Sequence, residues 1–421
     1  MNNQQNQSTV GPMIIIASLF FIFGFVTWLN SLLIPYLRIA CELTEVQSYF
    51  VTFAFYIAYF VMAPVSTWVL NKFGFKNGMA VALGIMAFGA FLFIPAAYTR
   101  TYVLFLIGLF TIGGGLAILQ TASNPYITII GPVETAAKRI SILGIFNKLA
   151  GGIATSVFGV LLNVKDVDKL EADIKTLSAD QLEQALDKMA LEVVNPYIGI
   201  VVILLILAFW ISKTNLPEVK GDEEEDAEHH TLTESKRSIF DFPHVILGFV
   251  ALFAYVGVEV LAGDTIIAYG KYLGIPFAVA SNFTWITMLS MVLGYIIGII
   301  AIPKYLKQET ALKLCAILGI ILTFGIVFTD GMTSLVLVGL LGFANSLVWP
   351  AIWPLALKGV GKFTSAASGI LVMGIAGGAV IPLLYGQLAH VTNSHQAYWI
   401  ALPCYLFILY YAVSGHKVRK H

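Results

Sequence analysis

Long unbroken apolar stretches constrain this chain more than any motif does. A helix crossing a hydrocarbon layer of about 30 Å needs roughly 20 mostly apolar residues, at about 1.5 Å of rise each. Twelve stretches meet that length: 13–37, 47–70, 77–98, 101–130, 140–163, 194–213, 243–270, 277–302, 311–329, 333–357, 362–388 and 396–414. None alternates polar with apolar over about ten residues, as the strands of a membrane barrel do. The expected fold is an all-α membrane protein of twelve spanning helices. Composition agrees, since only 11% of residues are charged, against about 25% in a soluble domain. Equal numbers of acidic and basic residues, 24 each, give no general attraction to nucleic acid.

Charge in the connections gives an orientation. Lys72, Lys76, Lys138, Arg139, Lys213, Lys304, Lys307, Lys358 and the tail Lys417, Arg419, Lys420 all fall on one side. Basic loops stay in the cytoplasm, so both termini are expected inside a cytoplasmic (inner) membrane. The first twelve residues carry no charge and the apolar run after them is too long for a signal peptide. Residues 164–193 are acidic with helically spaced leucines, and Ser178 followed by Gln181 reads as a helix start; an extracellular amphipathic hairpin is expected there. Residues 214–242, with Asp222–Asp226 and His229-His230, read as a solvated cytoplasmic linker, expected to be poorly ordered and dispensable for binding. The linker divides the chain into bundles 1–213 and 243–421.

The two halves repeat weakly. Leu149-Ala150-Gly151-Gly152-Ile153 returns as Ile375-Ala376-Gly377-Gly378-Ala379, and Gly115-Leu116-Ala117 as Gly342-Phe343-Ala344. Two repeated six-helix halves holding a solute between them near mid-membrane is a transporter plan.

Three charged side chains lie inside the runs away from their edges: Lys148, Glu259 and Asp264. Each costs at least about 2.5–3.5 kcal/mol at depth, so each is expected to face a cavity or a partner. Lys148 and Glu259 sit about three residues from the middles of their helices, on opposite sides of the midplane, a gap that a long lysine spans. Asp264 follows Glu259 by five residues, about 140° further round, and either acid could pair with Lys148 or bind a coupling ion. Deep uncharged polar residues include Asn30, Ser31, Gln120, Ser123, Asn124, Asn147, Asn345 and Ser346, and Trp28, Trp349 and Trp353 lie on the same helices. Amides exchange two-way hydrogen bonds with hydroxyls and indole faces take the C–H face of a sugar ring. The same side chains also serve to join helices.

No nucleophile elbow, HExxH, phosphate loop or dinucleotide fingerprint occurs, so no enzyme, cofactor or metal site is expected. Cys41, Cys315 and Cys404 lack ligand spacing. With no ATP-binding motif, uphill transport has to draw on an ion gradient.

Asn71-Lys72-Phe73-Gly74-Phe75-Lys76-Asn77-Gly78, between the second and third runs, resembles the loop typical of the major facilitator superfamily. Leu29-Asn30, Phe55 to Met62, Gln120 to Tyr126, Phe146-Asn147 and Tyr255-Val256-Gly257 resemble its fucose/galactose/glucose–proton symporter family, over residues 18–388. The resemblance implies alternating access of two six-helix bundles and a hexose substrate. It matches a pocket asparagine to Asn147 and an aromatic residue to Trp349. Trp28 stands where the family has an asparagine, and Gly144 where it has a glutamine. The family's proton-handling aspartate and glutamate fall on Ser31 and Gln120, so a proton relay here has to use Glu259 or Asp264, with Glu259 preferred. Sodium coupling and uncoupled transport stay open beside the proton. An N-acetylhexosamine would suit the amides equally, and a non-transporting membrane sugar sensor is the rival from another class. A monomer is expected.

Overall fold

A computed structural model describes residues 10–129, 135–162, 176–214, 238–302 and 304–418. Most of the linker 214–242, and the part of the 164–193 insertion before residue 176, lie outside the described residues. Among those described, eleven helices are long and apolar enough to cross a membrane. One of them, Val46–Thr99, has 54 residues, far more than one crossing needs. It turns at Gly74, whose φ of 73° suits a residue without Cβ, and so supplies two spans of twelve.

In chain order the first half comprises α1 (Val10–Trp28), α2 (Asn30–Ala40), the short α3 (Glu45–Ser48), α4 (Phe50–Thr99), α5 (Tyr102–Ile129), α6 (Ala136–Leu161), α7 (Ala179–Glu192) and α8 (Val194–Lys213). The second half comprises α9 (Pro243–Asp264), α10 (Ile266–Tyr272), α11 (Phe277–Ala280), α12 (Asn282–Ala301), α13 (Gln308–Phe328), α14 (Gly331–Asn345), α15 (Val348–Leu357), α16 (Thr364–Met373), α17 (Gly377–Val391) and α18 (Ala401–Val413). The first span breaks at Leu29, the seventh at Thr265, the tenth at Ser346-Leu347, and the eleventh passes through a 3₁₀ turn at Gly374–Ala376. Interrupted spans of this kind gather around transporter sites.

The glycine pairs of the repeat do equivalent jobs. Gly151 packs against Trp28 of the first span, and Gly377 against the Phe253 backbone of the seventh, which is the first span of the second half. Gly152 meets Trp285 of the eighth span, and Gly378 meets Tyr56 of the second. In each half, then, one glycine admits the half's own first span and its neighbour admits the opposite half. A Cβ at any of the four would collide.

On the face away from the N terminus, α7 caps the first half. It starts at Ser178, whose N–H donates to Gln181 Oε1 at 3.2 Å. Arg100 Nη1 donates to Asp187 Oδ1 at 3.0 Å, and the Tyr36 hydroxyl donates to the Met189 carbonyl.

Candidate functional site

Between the halves lies a cavity of about 100 Å³, room for several waters at about 10–15 Å³ each. The first half lines it with Phe20, Phe23, Thr27 and Trp28 of the first span, Tyr56 and Tyr59 of α4, Gln120 of α5, and Ile140, Gly144, Asn147 and Lys148 of α6. Tyr255, Val256, Glu259, Tyr295, Trp349 and Ile375 face them from the second half.

Charge in the cavity is paired across the seam. Lys148 Nζ lies 2.5 Å from Glu259 Oε1, with the two side chains 7% and 12% exposed. The same ammonium stands 4.5 Å from the centroid of the Trp28 ring, within cation–π range. Trp28 is itself wedged between Gly151 of α6 and Gly263 of α9, and its ring fills the space where a Cβ on either would go. Both glycines lie beyond the ion pair, about one helical turn nearer the face opposite the N terminus. Trp28 therefore closes the cavity on that side.

The amides are half committed. Gln120 Nε2 donates to the Tyr59 hydroxyl at 3.0 Å, and Asn147 Nδ2 donates to the Phe20 carbonyl at 3.3 Å. Each carbonyl oxygen keeps its capacity to accept from a hydroxyl. Trp349 adds an indole near Tyr255, with ring centroids 6.2 Å apart.

Of the residues singled out from the sequence, Trp28, Gln120, Asn147, Lys148, Glu259 and Trp349 come together here. Four others do not. Asn30 follows Trp28 by two residues, about 200° round a helix. It is 1% exposed and faces Val26, Leu33, Phe55 and Tyr197 inside its own half. Asn124 lies one turn past Gln120, buried and outside the cavity lining. Trp353 is 1% exposed and sits behind Trp349 at 5.5 Å, so the pair does not present one shared face. Asp264 occupies a separate small pocket with Arg38, Tyr49 and Lys271, where its Oδ2 accepts from Thr52 Oγ1 at 3.3 Å. The angular offset from Glu259 accounts for that separation.

Sequence reasoning passed over Tyr56, Tyr59, Tyr255 and Tyr295 as individual site residues. Tyrosine is common here, 18 in all, and an apolar ring inside an apolar run carries no cost that would single it out.

Among the described residues, polar contacts that join the halves include Lys148–Glu259, Thr52–Asp264, and Trp285 Nε1 donating to Ser156 Oγ at 2.8 Å. All lie at mid-depth or toward the face opposite the N terminus. The cavity instead reaches toward the N-terminal face, through Phe20, Gln120 and Ile140.

Two six-helix bundles enclosing a cavity, with a buried ion pair across the seam inside it and further polar contacts on one side, define a membrane transporter of the alternating-access class. Residues 16–383 match the Major Facilitator Superfamily, and the chain belongs to that family. A glucose/galactose transporter of Brucella abortus (strain 2308) is 35% identical over 403 residues, covering 95% of this chain and 92% of that one. The L-fucose-proton symporter of Escherichia coli (strain K12) is 30% identical over 412 residues, covering 97% and 94%. Among solved structures, the E. coli fucose:proton symporter FucP superposes with a TM-score of 0.76 at 28% identity, covering 96% of this chain and 98% of that chain.

Proposed function

We propose that this chain carries a neutral hexose of the glucose or galactose kind across the cytoplasmic membrane, with a proton as the coupling ion. The observation that carries the reading is the Lys148–Glu259 pair standing in the same cavity as Gln120, Asn147 and Trp349. Sugar hydroxyls would donate to the two amide oxygens, and the ring's C–H face would lie on Trp349. The similarity to sugar transporters supports the substrate class.

The basic loops support a cytoplasmic N-terminal face, so the cavity extends toward the cytoplasmic half of the molecule. Bundles 1–213 and 243–421 rock about the cavity, joined through 214–242. One chain lines the whole cavity, so a monomer suffices. Glu259 is the proton acceptor. While ionised it holds Lys148 across the seam; once protonated it no longer attracts the ammonium, and the halves can separate at that point. Carriage of charge and proton is thereby tied to the change of access.

Uptake of labelled glucose, galactose and fucose into proteoliposomes tests this. Accumulation driven by an inward proton gradient is expected for at least one hexose. Accumulation driven by sodium alone, or equilibration without accumulation under any gradient, would overturn proton coupling. Absence of hexose binding would remove the substrate class.

A further inference from the structure

Tyr295 crosses the seam to occupy space that the first half leaves open. It projects from α12 over Gly144 of α6, and a Cβ on Gly144 would stand 2.7 Å from its ring carbon Cζ. That carbon bears the hydroxyl, so the absent side chain at 144 is what lets the phenol reach the cavity it lines. Tyr255 precedes Glu259 by four residues on α9, one turn away on the same face, and Tyr295 borders the same cavity from α12. All three also line the cavity.

From this geometry we infer that the Tyr295 hydroxyl touches the sugar and, through Tyr255, links sugar occupancy to the charge state of Glu259. The inference rests on the hexose reading above and adds the residue that connects substrate to coupling. A phenol both donates and accepts. With Glu259 ionised, Tyr255 donates a hydrogen bond to the carboxylate, and its oxygen accepts one from Tyr295. The Tyr295 oxygen then meets the sugar as an acceptor. With Glu259 protonated, the carboxyl can donate to Tyr255, Tyr255 to Tyr295, and Tyr295 to the sugar. One proton on Glu259 thus reverses the polarity of a hydrogen bond to the substrate. The titratable groups facing Glu259 are Lys148, Tyr255, Tyr295, Tyr56 and Tyr405, with Asp264 further along its own helix.

The test is equilibrium binding of labelled D-glucose and D-galactose to the purified full chain across a pH series, for the parent, Tyr295→Phe, Tyr255→Phe and Gly144→Ala. Tyr295→Phe keeps the ring on Gly144 and removes the hydroxyl. Affinity is expected to fall about three- to tenfold, and its pH dependence to flatten. Tyr255→Phe should flatten the pH dependence with a smaller loss of affinity. Gly144→Ala should weaken binding by pushing the phenol aside, and cost little more when added to Tyr295→Phe. Parent-like affinity in Tyr295→Phe, or weaker binding that keeps the parent's pH profile, would overturn the inference. If Tyr295→Phe does not fold, a parent-like pH profile in Tyr255→Phe overturns it instead. A parent that binds neither hexose shows that the substrate reading itself has failed, before any variant is considered.

Discussion

Lys148 of the fifth span and Glu259 of the seventh meet at 2.5 Å in the middle of the molecule, 111 residues apart in sequence. Trp28 covers the ammonium from the first span. Removing one partner from a buried pair leaves an uncompensated charge and costs about 3–5 kcal/mol. Lys148→Met is therefore expected to lower thermal stability strongly, and Lys148→Met with Glu259→Gln to recover most of the loss. Unfolding curves in detergent give the double-mutant cycle, and additive losses would mean that the pair is not coupled.

Trp28 depends on two glycines it does not contact in sequence. Gly263→Ala places a methyl group inside the indole ring's present position. Overpacking of that kind costs about 1–3 kcal/mol. Thermal stability should fall by that order in Gly263→Ala and return when Trp28→Leu is added. A Gly263→Ala variant as stable as the parent would show that the wedge yields freely.

The amides give a graded prediction. Losing one neutral hydrogen bond costs about 0.5–1.5 kcal/mol, roughly three- to tenfold in affinity. Gln120→Ala and Asn147→Ala should each weaken hexose binding by that factor without loss of folded protein. Parent-like binding in both would put the sugar elsewhere.

Asn30 makes the opposite prediction. Among the described residues, neither of its amide atoms has a hydrogen-bond partner, and its surroundings are largely apolar. Asn30→Leu, nearly the same shape, removes an unsatisfied polar group worth about 1–3 kcal/mol. It should raise thermal stability and leave sugar affinity unchanged. Weaker binding in a stable Asn30→Leu would bring this residue back to the site.

Much of this arrangement is legible in the sequence because the bilayer makes some residues expensive. Lys148, Glu259 and Asp264 stand out by that cost, while the choice of Glu259 as the lysine's partner depends on helix rotation and is seen only in the structure. The helix count follows from the length of the apolar runs, with Gly74 dividing one continuous helix as its loop suggests. What escapes is the direction in which a side chain points. Asn30 and Trp353 look like site residues by depth and type, yet are buried within their own bundles, because rotation about a broken helix is set by packing. Tyr295 escapes for another reason: its place over Gly144 joins two positions in different halves, and Tyr295 is not unusual in its own span.

Glu259 and Asp264 offer the sharpest test of coupling, because they share a helix but not an environment. Glu259 lines the central cavity and pairs with Lys148, so on the proposed mechanism neutralising it should remove the step that ties proton to sugar. Glu259→Gln is expected to exchange sugar in counterflow while failing to accumulate it under a proton gradient. Asp264 accepts from Thr52 outside that cavity, and an amide oxygen can accept the same bond. Asp264→Asn should therefore keep both counterflow and proton-driven accumulation. The Thr52 contact lies on the fastened side of the seam, so Asp264→Ala, which removes the acceptor, should loosen that side and change the rate of exchange. Measuring counterflow and gradient-driven uptake on the same vesicles separates these roles. Accumulation that survives Glu259→Gln but fails in Asp264→Asn would move the proton to the seventh span's far end and leave the Lys148 pair as a fastening alone.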